Sequence, residues 1–87
     1  MIDSQRIDKW LYFTRFAKTR ATAQEMIVGG HVAVNDEKVL KCSRDIKIGD
    51  EVEILFAAGS LKFRVLLIKE TVKKEEAATL YQVIAHE

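Results

Sequence analysis

The strongest constraint on the fold is a change of periodicity at two adjacent glycines, Gly29 and Gly30, in this 87-residue chain. Before the glycines, apolar residues recur every three or four positions, which is typical of amphipathic helices. After them, from His31 onward, apolar residues recur every second position, which is typical of strands. Because glycine favours the left-handed conformation just past a helix end, the pair predicts a helix-to-strand junction. Helices followed by strands indicate an α+β fold.

The first of two predicted helices begins near the N-terminus. Asp3 or Ser4 can serve as its N-cap, and the apolar pattern extends to about Ala17. Its core-facing positions are Ile7, Trp10, Leu11, Thr14 and Ala17, with Phe13 at the edge. Asp8 lies opposite these positions, on the face that we expect to meet solvent.

The region after the glycines predicts a small antiparallel sheet. Short strands lie in HVAV and KVL, joined by NDE as a hairpin, and in DIKIGDEVEILF, which contains a Gly-Asp turn. A further strand is predicted at least over residues 61–67 of LKFRVLLI. The tail KEEAATLYQVI predicts a short C-terminal helix, although residues 81–84 could instead form a strand. We therefore expect two N-terminal helices packed on a sheet, in one domain spanning residues 1–87.

Composition argues against several classes of function. The single cysteine, Cys42, precludes an internal disulfide, and two histidines far apart in the sequence do not indicate a metal site. No apolar run approaches the roughly 20 residues needed to span a bilayer, and the N-terminus lacks the pattern of a secretory signal. We expect a cytoplasmic protein with no cofactor and no membrane partner. No constellation of residues indicates an enzyme.

Positive charge is concentrated in the first 47 residues, which carry nine Lys and Arg against six Asp and Glu, whereas the remainder carries five against seven. Within this basic half, Thr19 can cap a second helix that runs from Arg20 to about Val28, although Thr22 and Glu25 also match a capping box and would give a later start. Free backbone amides and the helix dipole favour an anion at such a position. Lys18, Thr19 and Arg20 could therefore bind a phosphate together. The alternative is a solvated loop in which the threonine only caps the helix.

Other polar residues of the two helices are weaker candidates for ligand binding. Arg6 and Lys9 lie one helical turn apart, and Arg15 is a third cation of the first helix. Gln24 lies one turn from Arg20 and can both donate and accept hydrogen bonds. Exposed residues of these types also serve only to keep a protein soluble.

Three ring-bearing side chains have two possible interpretations. His31 alternates with the core-facing valines, so it should point outward, towards the side of Lys18 to Arg20, either as a ligand contact or as a plain surface residue. Tyr12 and Phe16 lie on a charged flank of the first helix, where they could stack on bases or pack against the protein.

The combination of these features resembles an S4-type RNA-binding domain. That domain has Arg-[Leu/Ile]-Asp in its first helix, a Ser/Thr-Arg pair opening the second, and Gly-His-Val-x-Val-Asn at the next strand. The chain matches with RID at 6–8, TR at 19–20 and GHVAVN at 30–35. The stretch IKIGDEVEI resembles the closing element, so the core motif covers residues 6 to about 56, followed by a C-terminal strand and helix over about 61–86. The resemblance implies the α-L motif, in which two helices pack on a bent sheet.

One position departs from the pattern of the domain. Its hairpin commonly contains Asn-Gly, whereas this chain has Asn35 and Asp36. Aspartate adopts the left-handed conformation less readily than glycine. It also adds negative charge where a phosphate could approach.

Finer details, RIDKWL, KTR, AQ and the double glycine, resemble the small fifteen-kilodalton heat-shock RNA-binding proteins of bacteria. This resemblance implies a non-catalytic protein that binds structured RNA, namely ribosomal RNA of the large subunit. Ribosomal proteins or tRNA on stalled subunits are implied as further partners. The RNA-binding surface would comprise Arg6, Lys9, Arg15, Lys18, Thr19, Arg20, Gln24, His31, Asn35 and Lys38. The near-neutral net charge of +1 leaves an alternative, a protein-interaction module of the same fold with incidental RNA affinity.

Overall fold

A computed structural model describes residues 4–69 and 72–86 of the chain. Helices precede most of the strands, as the periodicity predicts, and the α+β class is confirmed. In chain order the elements are β1 (Ser4–Arg6), α1 (Ile7–Phe13), α2 (Arg20–Val28), β2 (Val32–Val34), β3 (Glu37–Lys38), β4 (Asp45–Lys47), β5 (Glu51–Phe56), β6 (Gly59–Val65), a 3₁₀ helix (Lys74–Leu80) and β7 (Tyr81–His86).

The strands form two antiparallel sheets within the described residues. The larger sheet has the strand order β3-β2-β5-β6-β7, and the smaller one pairs β1 with β4. A bulge between Lys62 and Phe63 shifts the register of β6 against β7. Such bulges increase the local twist and bend of a sheet. Helix α1 packs on the larger sheet, where its Trp10 stacks on Phe63 of β6 with ring centroids 5.3 Å apart.

Aromatic rings form the centre of the core. The centroid of the Phe16 ring lies 4.4 Å from that of the Phe63 ring and 4.7 Å from that of the Tyr81 ring. Trp10 and Phe63 are fully buried. Aromatic pairs at these separations contribute about 0.5–1.5 kcal/mol beyond the burial of their area. The cluster therefore ties α1 to the two C-terminal strands of the larger sheet.

The predicted first helix is wrong at both ends. Ser4 to Arg6 form a strand, because Gln5 pairs with Ile46 in β4 and the Ile7 amide donates to the Arg44 carbonyl at 2.8 Å. The helix ends at Phe13 because Arg15 takes φ 68°, a left-handed conformation that no right-handed helix can continue through.

The second helix and the following hairpin agree with prediction. Thr19 caps α2 by accepting a hydrogen bond from the Thr22 amide at 3.1 Å, and the helix stops at Gly29, followed by Gly30 with φ 81°. In the hairpin, Asn35 and Asp36 both have positive φ (50° and 69°), as a two-residue type I′ turn requires. The strand predicted in KVL instead occupies Glu37 and Lys38.

The C-terminal region contains both of the alternatives left open by the sequence, one after the other. A 3₁₀ helix buries Ala77 and Leu80, and β7 then begins at Tyr81. The strand predicted over 61–67 begins earlier, at Gly59, and ends at Val65, because the Leu66 amide donates to the Leu80 carbonyl at 2.8 Å.

Candidate nucleic-acid interface

The centre of the basic surface is Asp8, which the helical pattern wrongly places towards solvent. Its side chain is completely buried between α1 and α2. Arg6 donates to it from Nε at 3.2 Å and from Nη2 at 3.1 Å, Arg20 from Nη2 at 3.2 Å, and Gln24 from Nε2 at 3.1 Å. We call these four residues the Asp8 cluster. A buried carboxylate is tolerated only when it is paired and hydrogen-bonded in this way.

Local structure explains why the four side chains meet. Arg6 is the last residue of β1 and adopts an extended conformation (φ −61°, ψ 139°), which places it beside the first turn of α1. Asp8 lies in that turn and also accepts the Lys9 backbone amide at 2.8 Å. Arg20 and Gln24 are four residues apart on α2, so they share one face of that helix. The cluster therefore fastens α1, α2 and β1 together.

Opposing influences act on the pKa of Asp8. Burial raises it, but hydrogen bonds from Gln24 and Arg20 and the charges of Arg6 and Arg20 outweigh burial, so the pKa of Asp8 lies below its ordinary value. The carboxylate is therefore ionised at neutral pH and remains a firm acceptor for both arginines.

The two arginines are held by Asp8 without being hidden. Their side chains are 48% (Arg6) and 44% (Arg20) exposed. Each guanidinium has five N–H donors, and Asp8 engages only some of them. One buried negative charge thus orients two partly exposed positive charges, which leaves a net positive, preorganised surface suited to phosphate oxygens.

The predicted triplet at the start of α2 lies next to this cluster in the chain. Lys18, Thr19 and Arg20 are all exposed. The Thr19 hydroxyl is engaged with Thr22, both as the acceptor of its amide and in a 3.1 Å contact with its hydroxyl. Lys18 and Arg20 therefore provide the charge, whereas Thr19 defines where the helix begins.

Two further predicted cations, one in α1 and one just after its end, lie against aromatic rings. Lys9 Nζ is 5.6 Å from the centroid of the Phe13 ring, and the Arg15 guanidinium carbon is 5.9 Å from that of Tyr12. Such cation–π contacts stabilise exposed cations by about 0.5–1 kcal/mol. Phe16 is partly buried and stacks on Phe63 and Tyr81, so its ring is engaged within the protein.

Of the remaining three predicted residues, His31 and Lys38 lie at the C-terminal end of α2 and Asn35 lies in the hairpin turn between β2 and β3. His31 is exposed and lies beside Gly29, the C-cap of α2, where an added Cβ would be 3.0 Å from the His31 ring. Lys18 lies before the opposite end of this nine-residue helix, which is about 13 Å long. The structure therefore does not bring His31 next to Lys18, although the strand alternation predicted this. Lys38 is exposed beside Gly30. Asn35 is exposed, but its side chain accepts from the Glu51 amide at 3.1 Å and donates to Asp50 at 3.3 Å.

Sequence reasoning missed Asp8 as a member of the site. The available signal was an acid two residues after Arg6, together with Arg20 and Gln24 at helical spacing. No helix in the described part of the chain is long and apolar enough to cross a membrane. Among the same residues, no group of three or more His, Cys, Asp or Glu could hold a metal ion.

Comparison with known proteins identifies the family. The family model of the S4 domain matches residues 5–52 of this sequence, which include the whole Asp8 cluster. This chain belongs to the S4 domain family. The resemblance predicted from RID, TR and GHVAVN is thereby confirmed.

Individual relatives of this S4-domain chain are similar over most of its length. It is 40% identical over 80 residues to the RQC P-site tRNA stabilizing factor of Streptococcus pneumoniae, covering 92% of this chain and 90% of that protein. Identity to the factor of the same name from Bacillus subtilis is 37%, covering 94% of each. Heat shock protein 15 of Escherichia coli K12 is 37% identical, over 92% of this chain and 60% of that protein.

A solved structure supports the fold of this S4-domain protein. The chain matches the trimeric structure of Vibrio cholerae Heat Shock Protein 15 with a TM-score of 0.85 and 31% identity. The match covers 95% of this chain and 84% of that one. The similarity therefore extends beyond the S4 motif to β6, the 3₁₀ helix and β7.

Proposed function

We propose that this S4-domain protein is a non-catalytic, cytoplasmic protein that binds structured RNA, namely ribosomal RNA of the large subunit. The observation that carries the proposal is the Asp8 cluster, in which a buried carboxylate orients two half-exposed arginines from different elements. Lys9 of α1 and Lys18, which lies just before α2, add further positive charge. The names of the relatives support a ribosomal setting, since two of them refer to a P-site tRNA stabilizing factor.

Recognition on this surface would depend on shape and phosphate contacts. Structured RNA is read mainly through its backbone, because side chains cannot enter the deep, narrow major groove of an A-form helix. Fixed guanidinium groups suit this task because they bind phosphate oxygens with two parallel hydrogen bonds and lose little entropy when already oriented. In addition to ribosomal RNA, we propose tRNA or ribosomal proteins on stalled subunits as contacts.

A salt titration with purified large ribosomal subunits tests this function. If about six phosphates are contacted, affinity should fall roughly a thousandfold between 50 and 200 mM salt. The K18A/R20A variant should bind roughly tenfold more weakly, because it loses two such contacts. A binding constant indifferent to salt, or equal to wild type in this variant, would overturn the proposal.

Two further variants separate charge from folding. The K9A/K18A variant leaves Asp8 and its partners intact, so its loss of affinity cannot be attributed to unfolding of the cluster. The matched control for K18A/R20A is K62A/R64A, which removes one lysine and one arginine from β6, where both pair with Glu51. This control should bind the subunits like wild type.

A protein-interaction module remains the alternative, and one observation favours it. Several large apolar side chains are exposed, among them Val28 (65%), Phe56 (55%) and Val83 (50%). Such side chains offer apolar contacts to a partner protein, and the near-neutral net charge of +1 fits the same function. Pull-down with nuclease treatment separates the two functions, since partners that survive nuclease would favour the protein-interaction module.

A further inference from the structure

The loop between β3 and β4 carries a second concentration of positive charge. Its sequence from Lys38 onward, KVLKCSR, contains three cations and no acid. The structure gathers Lys38, Lys41 and Arg44 with Ser43 around one surface hollow of about 280 Å³. That volume is several times the roughly 30 Å³ share of one water molecule, so a phosphate group fits within it.

Contacts to the helices hold the loop in a defined shape. The Arg44 carbonyl accepts the Ile7 amide at 2.8 Å, and the Arg44 amide donates to the Lys41 carbonyl at 3.1 Å. On the other side, Cys42 Sγ lies 3.8 Å from the Gln24 carbonyl of α2. Val39 is buried and anchors the start of the loop in the core. The three cations are therefore presented by a fixed backbone.

The same contacts place the hollow next to the Asp8 cluster. Ile7 directly follows Arg6, and Gln24 is itself a member of the cluster. Arg6 also pairs across the small sheet with Asp45, the residue after Arg44. The β3–β4 loop therefore contacts both α1 and α2, and its cations lie next to those of the Asp8 cluster.

The cations of the loop remain available for a ligand. Among residues 4–69 and 72–86, the ion-pair partner of Arg44 is Glu37, at a long 3.7 Å, and the Glu37 side chain is 77% exposed. No ion pair to Lys41 occurs within residues 4–69 and 72–86. Since a weak exposed pair contributes little, phosphate oxygens can compete with Glu37 for the guanidinium.

From this geometry we propose that Lys41, Ser43 and Arg44, together with Lys38, form a second phosphate-binding surface that extends the RNA footprint of the Asp8 cluster. The ligand class is the phosphodiester backbone of structured RNA, so the inference rests on the proposed function. Lys41 and Arg44 contribute charge to phosphates, whereas the Ser43 hydroxyl can donate one hydrogen bond. The footprint then spans the two helices and the β3–β4 loop.

The test compares salt titrations of K41Q/R44Q and a matched control with purified large ribosomal subunits. The control, K47Q/R64Q, also removes one lysine and one arginine, the arginine again from an exposed ion pair. It lies beside the acidic Asp50 and Glu51. The slope of log affinity against log salt is negative, and for K41Q/R44Q we expect it to become shallower by about 1.4–1.8, as two lost phosphate contacts require. The control should keep the wild-type slope.

The outcomes distinguish this inference from the function on which it rests. Equal slopes for K41Q/R44Q and K47Q/R64Q, with K18A/R20A still impaired, would overturn the second surface and leave the proposed function standing. If K18A/R20A also binds like wild type, the proposed function fails as well. Lys41→Gln alone breaks no ion pair in the described residues, so about half of the slope change in this single variant supports the proposal even if Arg44→Gln disturbs folding.

Discussion

Two clusters of charged residues in this molecule contain the same number of cations, but only one of them leaves a net positive charge. The Asp8 cluster joins one carboxylate to two arginines and a glutamine between α1 and α2. The second group, which we call the sheet cluster, lies on the hairpin turn and outer face of the larger sheet and comprises Asp36, Glu51, Lys62 and Arg64. Asp8 is fully buried, whereas the side chain of Asp36 is 81% exposed.

The difference lies in what each carboxylate leaves for a ligand. In the Asp8 cluster one negative charge serves two arginines, so positive charge remains and is held in place. In the sheet cluster two carboxylates face two cations, so the charges balance. A hydrogen bond from Lys62 to Asp36 and the charges of Asp36 and Glu51 raise the pKa of Lys62, which keeps it charged and paired. Equal numbers of cations therefore do not make equal phosphate surfaces.

The largest expected effect that separates the clusters is on stability. Asp8→Asn keeps the shape of the side chain but removes the charge that both arginines face. Because the arginines are half exposed and can be hydrated, we expect a loss of about 2–3 kcal/mol in the free energy of unfolding, below the range for fully buried pairs. Urea denaturation followed by circular dichroism measures it.

Asp36→Asn is the matched control for this substitution. It removes the same charge from an exposed pair, where solvent screens the interaction, so its free energy of unfolding should be indistinguishable from wild type. Equal destabilisation by the two variants would show that burial does not distinguish the clusters.

A second, smaller effect is the dependence of this stability on pH. Because the folded protein lowers the pKa of Asp8, the contribution of its carboxylate is complete above the ordinary pKa of about 3.9 and is lost as pH falls through the lowered value. The difference in free energy of unfolding between wild type and Asp8→Asn should therefore be largest near neutral pH and shrink steadily in acid. The comparison isolates the carboxylate, because its charge is what Asp8→Asn removes.

Glu76 provides an internal comparison for the acid titration. A hydrogen bond from Lys69 at 2.7 Å lowers the pKa of Glu76 in the same direction, but its side chain is 35% exposed. Glu76→Gln should therefore show a weaker pH-dependent difference from wild type than Asp8→Asn does. A difference for Asp8→Asn that is constant from neutral to acid pH would contradict the assignment of a charged Asp8 in the fold.

How much could be predicted from the sequence depends on the range of the determining interactions. Thr19 as a candidate N-cap of α2, a helix stop at the glycine pair and the turn at Asn35 could be predicted because each depends on a few neighbouring residues. The beginning of α1 was not, since Gln5 is drawn into a strand by Ile46, some 40 residues later. A local pattern contains no information about such a pairing.

The site follows the same rule. The exposed cations were predicted individually from their positions in the basic half of the chain. Asp8 was assigned to the solvent face because a helical wheel treats each helix alone, whereas Arg20 and Gln24 come from the next helix. Lys41 and Arg44 were not selected because their convergence arises only when the loop is tied to Ile7.

The smallest expected effect concerns the turn that closes the sheet cluster. Asp36 adopts φ 69°, which glycine tolerates better, so Asp36→Gly should relieve backbone strain, while it also gives up the exposed pair with Lys62. We expect a net gain of roughly 0.5 kcal/mol in the free energy of unfolding, measured by urea denaturation. Asn35→Gly, at φ 50°, is the matched control: it also relieves strain, but it deletes the acceptor of the Glu51 amide and should destabilise the protein by about 1 kcal/mol. Opposite signs at two adjacent left-handed residues would show that the Asn35 side chain is required by the fold and the Asp36 carboxylate is not. Destabilisation by Asp36→Gly would instead assign the sheet cluster a structural role comparable with that of Asp8.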